Sequence, residues 1–182
     1  MYKTPTELRS ISFSDSDYAK CEETRRSVSG RVNTLGGMLT NMTSKKQGSV
    51  TLSSTEAELV AGTECAQEAM FQSMLLEELL GRKVQATVFI DNTGAIFLVK
   101  NHKVGSRTKH IAVRHLYMRE LQERGQVKVE FIPTAQNVSD IGTKNLAEKL
   151  FTKHANRVLD GRILECLRED VKMYKVSGRE IF

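Results

Sequence analysis

The sequence predicts an α/β fold in which a mixed sheet is flanked by helices. Three observations lead there. The chain opens with β-patterned segments and no helix, continues with one long helical pattern, and ends with short β runs alternating with helical ones. At 182 residues and 20.5 kDa it has the size of one domain, or one domain plus a tail.

Each element has its own signal. Residues 1–10 are polar, include Pro5 and read as a linker. Residues 11–14 alternate apolar and polar, a short strand running into Asp15 and Asp17. Residues 31–42 hold two β segments around Gly36-Gly37, the composition of a hairpin turn. At Ser53-Ser54-Thr55-Glu56 the pattern becomes that of a helix N-terminus, hydroxyls followed by a glutamate within one turn. Leu59, Ala66, Met70, Met74 and Leu75 then recur at helical spacing, with no proline before Gly81, and predict a helix over 55–80. Residues 86–90 form a compact β run that delivers Asp91 at its end. Residues 93–99 read as helix, 101–107 as a polar, basic loop, and 108–124 as a helix with Ile111, Val113, Leu116, Tyr117 and Leu121 inward, stopped by Gly125. Residues 127–132 are a strand ended by Pro133, and a last helix starts near Val138 and carries Asp140. From His154 the chain is charged and only loosely periodic. The expected organisation is a linker over 1–10, a domain over 11–153, and a helical or disordered tail over 154–182.

Composition narrows the function classes. The residues are 40% apolar and 27% charged, which excludes a fibrous or mostly disordered chain. No apolar run approaches a membrane span, and the first ten residues lack the apolar core of a secretory signal, so the expectation is a soluble, intracellular protein without a membrane partner. Cys21, Cys65 and Cys166 are too sparse for a disulfide framework or a zinc knuckle. The net charge is +5, and it is concentrated. Lys100, Lys103, Arg107, Lys109, Arg114, Arg119 and Arg124 lie in one stretch, opposed only by Glu120 and Glu123, and His102, His110 and His115 share it. A basic patch of this kind suits a polyanionic partner. Zinc at His110 and His115 would lack a cysteine or acidic partner at suitable spacing.

Four acids stand where burial alone would disfavour them. Asp15 ends the first strand, Glu58 lies in the first turn of the long helix among apolar neighbours, Asp91 ends a later strand, and Asp140 opens the last helix. Gathered together they would repel, a problem that divalent cations remove. Oxygen-only ligands suit Mg²⁺ or Mn²⁺ rather than zinc. Two such ions can activate a water and stabilise a leaving oxygen in phosphodiester hydrolysis. Each acid also has a plain structural reading: Asp15 and Asp17 as turn residues, Asp91 and Asp140 as helix caps.

The words around these residues resolve the question further. Ser14-Asp15-Ser16-Asp17-Tyr18-Ala19, Thr24-Arg25-Arg26-Ser27-Val28-Ser29-Gly30, Ser44-Lys45-Lys46-Gln47, Leu52-Ser53-Ser54-Thr55-Glu56-Ala57-Glu58-Leu59, Asp91-Asn92, Ser106-Arg107-Thr108-Lys109-His110-Ile111 and Ser139-Asp140-Ile141-Gly142-Thr143-Lys144 occur in that order. Over residues 11–152 the chain resembles the ribonuclease H domain of copia-type (Ty/copia) LTR-retrotransposon Pol polyproteins. The resemblance implies a ribonuclease H-like fold, with a five-stranded mixed sheet. It implies cleavage of the RNA strand of RNA/DNA hybrids during reverse transcription, with Asp15, Glu58, Asp91 and Asp140 as catalytic and metal-binding acids for two Mg²⁺ (or Mn²⁺) ions. Asp17 and Glu56 are the nearby competitors. The loop over 134–139 has no histidine, where cellular relatives carry one that aids product release; slower turnover follows from that departure.

For the hybrid duplex, phosphate contacts supply affinity and orientation without reading bases. The candidate contacts are Arg107, Lys109 and His110 in the basic stretch, Arg25, Arg26, Lys45 and Lys46 on the opening strands, Ser54 and Thr55 at a helix N-terminus, and Asn92 beside Asp91. The expected partners are the hybrid and the reverse transcriptase domain of the same polyprotein. The expected location is intracellular, cytoplasmic within a virus-like particle, with the nucleus as a second compartment. The competing readings are a non-catalytic domain that binds nucleic acid or braces a polymerase, and the remnant of a decayed element.

Overall fold

In a computed structural model, residues 9–101, 112–161, 163 and 167 are described. Five strands form one sheet: β1 (Ser10–Asp17), β2 (Val28–Leu35), β3 (Met38–Lys46), β4 (Ala86–Ile90) and β5 (Val127–Phe131), in the spatial order β3-β2-β1-β4-β5. The first three form an antiparallel meander, and β4 and β5 run parallel to β1. The helices are α1 (Ser54–Leu80), α2 (Thr93–Lys100), α3 (Ala112–Glu123) and α4 (Glu148–Leu159). This is the five-stranded mixed sheet with helices that the sequence predicts.

Local chemistry sets the boundaries. Gly36 and Gly37 both have positive φ, 59° and 89°, as a two-residue turn between right-twisted strands demands. Ser53 caps α1 by accepting the Glu56 N–H, and the Glu56 carboxylate reaches back to the Leu52 N–H at 2.6 Å, a reciprocal capping arrangement. Gly81, at φ 62°, closes the same helix in the left-handed conformation.

The core lies on both sides of the sheet. Ala86, Val88 and Ile90 of β4 join Leu59, Ala66 and Ala69 of α1 and Met118 and Leu121 of α3 in the larger cluster. Ile11, Phe13 and Val32 join Ile132, Val138, Val158 and Ile163 in the smaller one, against which the alternate β4 residue Phe89 packs. Side chains alternate along a strand, so the two clusters occupy opposite faces.

The structure departs from the expected boundaries in three places. β1 continues to Asp17 and β3 to Lys46 because the ladder with β2 continues, pairing Asp15 with Gly30, Asp17 with Val28 and Val28 with Lys46. These residues are mostly polar, and backbone pairing leaves no hydrophobic period to read. Near Val138 the chain forms only a short 3-10 turn, Val138–Gly142, after another at Thr134–Gln136; the α-helix starts at Glu148. The division expected at 153/154 falls inside α4, where His154 is fully buried and Val158 and Ile163 are core residues. The N-terminal residues 1–8, most of the loop and helix start expected over 101–111, and Cys166 lie outside the described residues.

Candidate active site

The parallel register aligns Ser14 of β1 with Ile90 of β4, so Asp15 and Asp91 are the next residues along two neighbouring strands. Glu58, one turn into α1, reaches the same place. One carboxylate oxygen from each of Asp15, Glu58 and Asp91 lies within 4.8 Å of the others. Such a position, outside the carboxyl ends of parallel strands, is the usual site in open α/β sheets.

Each acid is held differently. Glu58 Oε1 accepts from both the backbone N–H and the hydroxyl of Ser16, at 3.1 and 2.9 Å. Its other oxygen, Oε2, is buried and has no hydrogen-bond partner among the described residues. Asp15 shares strand parity with Ile11 and Phe13, whose face is covered by the segment after β5. From that segment Thr143 donates its hydroxyl to Asp15 Oδ2 and Lys144 its ammonium to Asp15 Oδ1, the latter at 3.1 Å. Asp140, in the 3-10 turn, is buried and outside the three-acid cluster; Lys144 Nζ joins it to Asp15, 2.9 Å from Asp140 Oδ1. Asn137 fixes the turn to the sheet by donating to the Ser14 carbonyl at 2.9 Å.

The electrostatics follow from this crowding. Burial, then the charges of Asp15 and Asp91, push the Glu58 carboxyl up to about 8 despite the Ser16 hydrogen bonds. Burial and Asp15 raise Asp91, opposed by a hydrogen bond from Thr134 and by the Lys144 charge. Asp140 is raised to about 6, with burial outweighing its bond to Lys144. Partial burial works against the Lys144 charge, but its bonds to Asp140 and Asp15 dominate and hold it above the ordinary lysine value. A largely buried, oxygen-only set of donors, with one carboxylate oxygen lacking a partner among the described residues, fits a hard divalent cation.

The competing acids are engaged elsewhere. Asp17 pairs with Lys20 at 2.6 Å, and Glu56 caps α1. Of the nucleic-acid candidates, Arg25 and Arg26 follow the turn that precedes β2, and Lys45 and Lys46 end β3. The row Asp15–Gly30–Ser44 crosses three strands at this end of the sheet, so Lys45 and Lys46 lie one and two residues beyond it, two strands or roughly 10 Å from the acids. Asn92 caps α2 by accepting the Ala95 N–H at 2.9 Å, and Ser54 is exposed in the first turn of α1. The two helix starts meet at Gly94, where an added Cβ would lie 3.1 Å from both Thr55 Oγ1 and Asn92 Oδ1. Arg107, Lys109 and His110 lie outside the described residues. Arg119 does not belong to a surface patch: it is buried, and its guanidinium donates to the carbonyls of Leu98 (2.8 Å), Val99 (3.3 Å) and Asn101 at the end of α2. Arg124 pairs with Glu120.

Sequence reasoning gave no role to Ser16, Thr143, Lys144 or Gly30. Lys144 had a readable signal, a base four residues after a candidate acid. The others act through contacts between distant segments, such as the approach of Gly30 to the 138–143 turn.

No protein-family model matches the chain. It is 35% identical over 151 residues to the retrovirus-related Pol polyprotein from transposon TNT 1-94 of Nicotiana tabacum, covering 79% of this chain and 11% of the relative. It is 33% identical over 147 residues to the corresponding polyprotein from transposon RE1 of Arabidopsis thaliana, covering 80% and 10%. The chain therefore spans about a tenth of the length of these curated relatives. Among solved structures it superimposes on LC11 ribonuclease H1, isolated from compost by a metagenomic approach, with a TM-score of 0.53 over 80% of this chain and 94% of that one. The identity there is 16%, so that likeness is one of fold. This chain is thus a domain of ribonuclease H fold, homologous to a segment of the Ty1/copia-type Pol polyproteins.

Proposed function

We propose that the chain is a metal-dependent endoribonuclease that hydrolyses the RNA strand of RNA/DNA hybrids. The observation that carries this reading is the cluster of Asp15 and Asp91, at the ends of β1 and β4, with Glu58 of α1, whose Oε2 is buried without a partner among the described residues. A domain that only binds nucleic acid gains nothing from concentrating negative charge where a phosphate must approach, and pays for it in raised carboxyl pKa values. The kinship with transposon Pol polyproteins supports a place beside a reverse transcriptase domain, where such hybrids arise.

Asp15, Glu58 and Asp91 would hold the first divalent ion, with Asp140 adding to a second position beside Asp15. When bound, such ions lower the pKa of the attacking water and neutralise charge on the leaving 3′-oxygen. The chain's own residues do the rest. Ser16 fixes one oxygen of Glu58 and leaves the other without a partner among the described residues, and Thr143 holds Asp15 from the opposite face. Arg25, Arg26, Lys45 and Lys46 offer phosphate contacts at the same end of the sheet. Thr55 and the amide NH₂ of Asn92 stand where two helix N-termini converge, a setting that favours anions.

The test is cleavage of a labelled hybrid with Mg²⁺ or Mn²⁺. The RNA strand should be cut, duplex DNA should not, and Asp91→Asn should lower the rate at least about a hundredfold, the scale of losing one catalytic electrostatic contact. A folded protein that binds the hybrid and cuts with neither metal overturns the enzyme reading in favour of a binding module.

A further inference from the structure

We propose that Lys144 is a built-in cation that fills the second half of the carboxylate centre, so that one divalent ion is held by Asp15, Glu58 and Asp91, while a second is held between Asp15 and Asp140 only after the Lys144 ammonium withdraws. The inference rests on the metal-dependent reading above and adds to it an internal competitor for one of the two positions.

Lys144 Nζ stands 3.1 Å from Asp15 Oδ1 and 2.9 Å from Asp140 Oδ1, bridging two carboxylates that are themselves almost fully buried. The three acids that can share one ion exclude Asp140. The centre is therefore divided, with an oxygen-only half that includes Glu58, whose Oε2 is buried without a partner among the described residues, and a half already neutralised by an ammonium. A divalent cation and an ammonium cannot both sit within about 3 Å of the same carboxylate pair without strong repulsion. Lys144 is a third exposed, so its long stem can carry the charge out to solvent. Asp15 keeps its place when that happens, because Thr143 grips its other oxygen. The phosphates of a bound hybrid would favour both events, by attracting the departing ammonium and by adding negative charge next to the vacated carboxylates. Without substrate, the position that Lys144 occupies is therefore the weaker of the two.

Mn²⁺ binding to the full chain, followed by electron paramagnetic resonance without substrate, tests this. The wild type should bind one ion well and a second at least about tenfold more weakly. Lys144→Ala should tighten the second ion by about tenfold or more, while Lys144→Arg, which keeps the charge, should behave as wild type. Lys144→Gln serves the same comparison if the alanine variant fails to fold. Two ions of equal affinity in the wild type, or a second ion unmoved by loss of the Lys144 charge, overturn the proposal and leave the metal-dependent reading standing. Failure of the wild type and of both uncharged variants to bind any Mn²⁺ overturns that reading itself.

Discussion

Glu58 is the residue on which the site's electrostatics turn, and it makes the resting protein sensitive to pH. Its carboxyl, pushed up to about 8 by burial and by Asp15 and Asp91, carries a proton in the folded state over a range where the unfolded chain has lost it. Stability from this group is fully present below the unfolded value near 4.5 and is lost as pH rises through 8. His154 acts the other way in acid: burial, then the charges of Arg157 and Lys153, pull it down to about 4, so its contribution rises with pH up to the unfolded value of 6.5. Between pH 6.5 and 8 only the Glu58 effect remains of these two. Free of divalent ions, the protein should lose about 2 kcal/mol over that window, from a slope of about 1.4 kcal/mol per pH unit. Glu58→Gln should flatten the curve, and Mg²⁺ should raise the melting temperature more at pH 8 than at pH 6.5. Chemical denaturation across the window checks all three; a flat wild-type curve refutes the assigned proton. At this scale the sequence was readable as far as chemistry goes. Acids at strand ends and helix starts point to the cluster, but the sequence leaves Asp15 against Asp17 and Glu58 against Glu56 open. The difference lies in contacts that no local pattern encodes: Lys20 pairs with Asp17, and Ser53 and Leu52 engage Glu56.

Among the elements, the contact that shapes the site is between β2 and the 138–143 turn. Gly30 permits it. A Cβ there would lie 2.6 Å from the Ser139 carbonyl oxygen and 2.7 Å from Thr143 Cγ2, so backbone must move before a side chain fits. Gly62, where α1 crosses β4, is a milder case. Its Cβ would meet the Ile90 Cδ1 at 2.9 Å, the far end of a side chain that can rotate away. Gly30→Ala should therefore cost about 1–3 kcal/mol as overpacking, and should weaken Mn²⁺ binding by displacing Thr143 and Asp140. Gly62→Ala should cost less and leave metal binding unchanged. Calorimetry with Mn²⁺ titration separates the two, and equal losses of affinity in both would show that the turn does not depend on Gly30. The sequence revealed elements with strong periodicity, such as α1, but not this turn. Val138–Gly142 has the composition of a helix start, and its 3-10 geometry is set by tertiary partners: Asn137 bonded to Ser14 O, and Ser44 donating to Gly142 O at 2.5 Å.

At the scale of the whole molecule, the issue is where the folded unit ends. Charge and weak periodicity after His154 suggested a tail, because α4 buries only one narrow side and shows Phe151 and Leu159 to solvent. Yet His154 is fully buried, and Val158 and Ile163, at 3% and 2% exposure, complete the smaller core with Ile11, Phe13 and Val32. Without them, one face of β1 and β2, the strands that carry Asp15 and Gly30, would meet water. Burying two such aliphatic side chains is worth about 3–6 kcal/mol by transfer estimates, against a typical total of about 5–15 kcal/mol for a domain. A chain ending at residue 153 should accordingly melt at least about 10 °C below one ending at residue 167, or lose its cooperative transition. The longer chain should keep the full-length melting temperature within a few degrees, since Leu167 already packs against the same cluster. Equal melting of the two truncated chains would mean that α4 only leans on the sheet. A large difference makes α4 part of what holds β1, and with it Asp15, in place.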